Sequence, residues 1–94
     1  MEAYGPEGSA LIVTAITDNK NRTVSEIKLI LKKHDAKWAD PGSVLWAFEK
    51  DAEGGWQAKF PQVISDAGKE KLEALIEALD DHDDVDDIYV NVGL

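Results

Sequence analysis

The chain has no cysteine, which excludes disulfides, thiol nucleophiles and every cysteine-based zinc pattern, so its stability has to come from packing. Arginine occurs once, as Arg22, and basic side chains are scarce overall: ten against nineteen acidic ones, a formal charge of −9. Such a chain repels a nucleic-acid backbone at long range, and any contact of that kind needs a local basic patch. Long apolar runs are missing too. Nothing approaches the roughly 18 uninterrupted apolar residues of a membrane span, and the opening MEAYGPEG lacks the basic and apolar regions of a secretory signal. The expected address is the cytoplasm, with no membrane partner.

What is there fits one small domain: 94 residues, 44% of them hydrophobic, are enough for a single two-layer unit and leave no room for a second core. The charge is unevenly spread. Residues 1 to 60 hold 8 basic and 9 acidic side chains, whereas 61 to 94 hold 2 and 10. Between residues 20 and 37 the balance reverses, because Lys20, Arg22, Lys28, Lys32, Lys33 and Lys37 face only Glu26 and Asp35.

SALIVTAIT (residues 9 to 17) is apolar on both alternating faces, the pattern of a strand buried on both sides. Val24, Ile27, Leu31 and His34 then step by three and four, a helix stripe with Lys28, Lys32 and Lys33 facing water and Leu29 outward between them. Thr23 and Glu26 have capping-box spacing at its start. A Pro-Gly turn precedes a second strand at 44 to 50, DAEGG forms a hairpin loop, and WQAKF begins a third strand that Pro61 closes. Ser65 caps a second helix with Leu72, Leu75, Ile76 and Leu79 inward, and IYVNV is a fourth strand. The order βαββαβ predicts an α+β, ferredoxin-like sandwich: a four-stranded antiparallel sheet with two helices on one face.

Chemistry has little to build on. His34 and His82 are far apart in sequence and lack metal-ligand spacing; His34 reads as the edge of a core stripe and His82 as part of a solvated loop. The aspartate run from Asp80 to Asp87 lacks the central glycine and terminal glutamate of a calcium loop, so no metal is expected. No serine, histidine and aspartate set can be assembled by spacing, no cofactor is implied, and no catalytic residue is assigned. A phosphatase of this fold would need an arginine cradle, for which Arg22 is the sole candidate. Trp56 and Phe60 could stack bases on such a sheet, but the glycine-aromatic signature of that RNA-binding module is missing and core packing is the stronger reading.

TDNKNRT, residues 17 to 23, is left with two readings. Asn19, Lys20, Asn21 and Arg22 could grip phosphate at a helix amino end, or the segment could be only the joint between strand and helix.

Four stretches in order, YGPEGSALIV, TDNKNRTVSEI, PGSVLWAFEK and LIEALDDHDDVDDIYVNV, resemble successive signatures of the YebC/PmpR family. The resemblance implies a non-enzymatic role in gene expression, as a transcriptional regulator or a ribosome-associated translational activator. It also implies the middle domain alone, since the family's basic helical domain is not found before Met1 and DAEGG stands where a further domain is normally inserted. The contact surface expected for RNA, the ribosome or DNA is then Asn19, Lys20, Asn21 and Arg22 with Lys28, Lys32 and Lys33. The alternative is an acidic protein-interaction module, homodimeric or with another partner, working through an open sheet face or a sheet edge.

Overall fold

The computed structural model describes residues 1 to 93, and it is α+β. Strands β1 (Glu2–Tyr4), β2 (Ala10–Ala15), β3 (Lys37–Ala39) and β6 (Val85–Val90) form one sheet in the order β3-β1-β2-β6. Every neighbouring pair is antiparallel, with Ala3 opposite Leu11 and Trp38, and Val13 opposite Ile88. Helices α1 (Lys20–Lys33) and α2 (Asp66–Asp80) cover one face. Strands β4 (Phe48–Lys50) and β5 (Trp56–Ala58) form a separate hairpin.

The four-stranded sheet with two helices on one face agrees with the sequence expectation, but two of its strands do not. The segments read as second and third strands are the separate hairpin, and their places are taken by β1 and β3. Both are only three residues long, too short for an alternating pattern to stand out. In the stretch read as strand 44 to 50, Leu45–Ala47 is a turn of 3-10 helix instead.

β2 is buried on both faces, as its continuous apolar run requires. Leu11 and Val13 point into the helical side, where they meet Ile27, Leu31, Leu72, Leu75 and Leu79, all at most 1% exposed. Ala10 and Ile12 point the other way, into a smaller cluster with Ala39, Val44, Ala47 and Phe48, edged by Trp56 and Tyr89. The hairpin therefore forms a third layer, and the sheet face expected to be open is covered. Phe60, expected in the core, is 68% exposed beyond the end of β5.

A carboxylate and a side-chain amide fasten the segments that border the sheet. Glu2 accepts the amides of Gly42, Val44 and Leu45 at 2.6, 3.0 and 2.8 Å, tying β1 to the loop that leads into the hairpin. Burial opposes the charged form of Glu2, but these three amides outweigh it and hold the carboxyl below its usual range. Asn91 is buried, and its side-chain oxygen accepts the Ala10 backbone amide at 2.8 Å while its backbone amide donates to the Ala10 carbonyl at 3.1 Å.

Candidate nucleic-acid interface

The polar connector after β2 is mostly helix. α1 begins at Lys20, four residues earlier than the apolar stripe suggests, and Asn19 is its cap: the Asn19 side-chain oxygen accepts the Arg22 amide at 3.1 Å. Lys20, Asn21 and Arg22 thus occupy the first turn, all exposed. Asn19 supplies a stronger start signal than Thr23, because asparagine caps as well as threonine does and its placement lets the helix gain a full turn.

Thr23, expected as the cap, is instead 1% exposed inside that turn. Its hydroxyl donates to Asp84 Oδ2 at 2.7 Å and accepts from the Thr17 hydroxyl at 2.8 Å, while Thr17 accepts the Asn19 amide at 3.0 Å. Asp84 belongs to the turn before β6, so the joint between β2 and α1 is braced by the far end of the chain. The Thr23 hydroxyl is the main cause that holds the Asp84 carboxyl below its usual range; burial opposes it, and the charge of Arg22 adds to the lowering.

Arg22 shares this brace. Its Nη2 lies 3.5 Å from Asp84 Oδ2 and its Nε 3.7 Å from Glu26 Oε1. Glu26 also meets His82 Nε2 at 3.4 Å, and the Asp84 amide donates to His82 Nδ1 at 3.1 Å, which places the ring proton on Nε2. His82 is therefore half-buried in a polar cluster, where the sequence suggested a solvated loop. The recess around Arg22 is lined by Glu26, Asp81, Asp83 and Asp84, an acidic setting for the one guanidinium of the chain. No local spacing signals this pairing, since Arg22 and Asp84 are separated by 62 positions.

The lysines are placed differently. Lys20, Lys28, Lys32 and Lys33 are exposed, and among the described residues none is in an ion pair. Lys32 and Lys33 lie in the last turn of α1, where the helix dipole favours cations, so they stabilise the helix as well as charging its surface. Leu29 stays outward among them at 59% exposure. Beyond the helix end, Asp35 adopts a left-handed backbone (φ 56°) and turns the chain into β3, which brings Lys37 and Trp38 alongside α1. The Lys28 ammonium sits 4.9 Å from the centre of the Trp38 ring, an exposed cation-π contact worth about 0.5 to 1 kcal/mol. Trp38 was not singled out by sequence because the strand that positions it is only three residues long.

The sequence and the architecture have counterparts in known proteins. Residues 1–53 match the family described as TACO1/YebC second and third domain. The chain belongs to this family. Every residue of the connector and of the α1 lysine surface falls inside that matched stretch. The chain is 43% identical over 79 residues to a "Probable transcriptional regulatory protein" of Thermosipho melanesiensis, covering 76% of this chain and 31% of that protein. A protein of the same description from Prochlorococcus marinus is 40% identical over 78 residues, covering 83% and 30%. The TACO1/YebC chain thus spans less than a third of the length of these curated relatives. In structure it is similar to a conserved hypothetical protein of Aquifex aeolicus, with a TM-score of 0.87 at 21% identity over 98% of this chain and 63% of that one, a likeness of fold.

Proposed function

We propose that this TACO1/YebC domain takes part in the regulation of gene expression without catalysis of its own, by binding nucleic acid, free or within the ribosome, through the lysine surface of α1. The observation that carries this reading is the set of exposed ammonium groups at Lys20, Lys28, Lys32 and Lys33, with Lys37 beyond the helix, which form no ion pair among the described residues in a chain whose formal charge is −9. The names of the relatives as transcriptional regulatory proteins support it. Within this reading the parts of the connector divide: Asn19 and Arg22 fix the start of α1, while Lys20 and Asn21 stand at the exposed rim of the surface. The lysines supply screened, sequence-independent attraction to phosphate, and binding weakens as salt rises.

The test is titration of the chain with RNA and with duplex DNA over a range of salt, and co-sedimentation with ribosomes. Lys32→Ala lowers affinity and flattens the salt dependence, while Arg22→Ala acts chiefly on stability. Absence of binding to all three even at low salt overturns the reading.

A second reading, a protein-interaction module, is favoured by one observation: Tyr4, Trp46 and Phe60 are exposed aromatics around a recess of about 240 Å³ on the hairpin side. Such a module would work through this outer surface, since the hairpin already covers the sheet. Loss of a partner or of self-association on Trp46→Ser and Phe60→Ser, with nucleic-acid binding absent, would favour it over the first.

A further inference from the structure

The groove between α1 and the edge strand β3 combines two features that a nucleic acid meets differently according to whether its bases are paired. Lys28, Lys32 and Lys37 line it against a single carboxylate, Asp35, and its wall includes the half-buried ring of Trp38. Its volume is about 510 Å³. Ammonium groups attract the phosphates of any nucleic acid, but an indole can stack only on a base that is not already stacked in a duplex.

We propose that this groove receives an unpaired nucleic-acid strand, one base lying on Trp38 and the adjoining phosphates held by Lys28, Lys32 and Lys37. The inference rests on the nucleic-acid reading above and specifies the form of nucleic acid. In the free protein the Lys28 ammonium covers the indole at 4.9 Å. An incoming base replaces it on the ring, and the flexible lysine stem lets the same charge swing to a neighbouring phosphate. The inner edge of Trp38 packs on the helical-side core, so the ring is held in place before the strand arrives. The Asp35 carboxylate, which also lines the groove, disfavours a phosphate at its own end.

The experiment measures fluorescence anisotropy of labelled short single-stranded RNA, single-stranded DNA and duplex DNA with the full chain, Lys32→Ala, Trp38→Phe and Trp38→Leu, after urea titration has shown each variant folded. Single strands bind more tightly than the duplex, and the RNA and DNA arms decide between the two sources of the strand. Trp38→Phe, which keeps a ring, retains most of the affinity; Trp38→Leu, which keeps apolar bulk without a π face, loses roughly tenfold. Lys32→Ala lowers the magnitude of the salt slope by about 0.7. Equal binding of duplex and single strands, or equal affinities of Trp38→Phe and Trp38→Leu, overturns the inference while Lys32→Ala still reports on the nucleic-acid reading itself. Failure of every nucleic acid to bind overturns both, and equal competition by polyglutamate at the same salt reduces the groove to an anion-attracting surface and overturns the stacked-base proposal.

Discussion

The hydroxyl of Thr23 and the carboxylate of Asp84 meet at 2.7 Å across 61 positions of sequence, and through them the first turn of α1 is joined to the turn that starts β6. Thr23→Val keeps the shape of the side chain but removes the donor to Asp84 and the acceptor for Thr17. The urea midpoint falls. Asp84→Asn destabilises as well, and because both changes break one bond the double variant is less destabilised than the separate effects added together. Strict additivity in that double-mutant cycle would show that the contact contributes nothing.

Acid weakens the fold through Asp84 and Glu2. Both carboxyls titrate lower in the folded chain than in the unfolded one. Their stabilisation is therefore complete above the ordinary carboxylate range, near pH 4, and is lost as pH falls below it through the folded values. Urea midpoints measured from neutral pH downward decline in that window, and Asp84→Asn or Glu2→Gln makes the decline shallower. An unchanged slope in both variants contradicts the assignment.

Phe48 opens the hairpin and Phe60 lies just beyond its second strand, and they differ in burial, 2% against 68% exposed. Phe48→Ala empties the cluster between hairpin and sheet and costs about 3 to 5 kcal/mol by chemical denaturation. Phe60→Ala changes stability by less than about 0.5 kcal/mol. The reverse ranking would mean that the hairpin packs through its other side.

Asn91→Ala removes the acceptor of the Ala10 amide in a buried setting. The orphaned amide costs about 1 to 3 kcal/mol, measurable as a lower urea midpoint and as faster amide exchange at Ala10. Retained protection at Ala10 would show that another acceptor takes its amide.

Long, strongly patterned segments were legible from sequence. The apolar run 9 to 17 marks β2, and the spacings at Ile27 and Leu31 and at Leu72, Leu75 and Leu79 mark the buried stripes of both helices. Ser65 caps α2 as expected, accepting the Gly68 amide at 3.1 Å. The short strands were not legible. Glu2–Tyr4 and Lys37–Ala39 are strands because β2 and β1 provide a ladder for them, a tertiary cause that no window of sequence contains. The lysine side of the candidate site could be read from charge alone. The pairing of Arg22 with Asp84 and the approach of Trp38 to Lys28 could not, because each depends on how separate elements are brought together.

The sheet ends in two outer strands of unlike charge, β3 with Lys37 and β6 with Asp86 and Asp87. A two-fold dimer built by joining either edge to its own copy brings the two lysines, or the two aspartate pairs, near each other along the seam, so isologous pairing crowds like charge on both sides. Joining β3 of one copy to β6 of the next is favoured by charge but is heterologous, so unless its rotation closes a ring it runs on as a filament. The three-residue length of β3, followed by Pro41, leaves that contact few backbone bonds to form, and the same short strand that holds Trp38 beside the lysines also keeps the sheet from propagating.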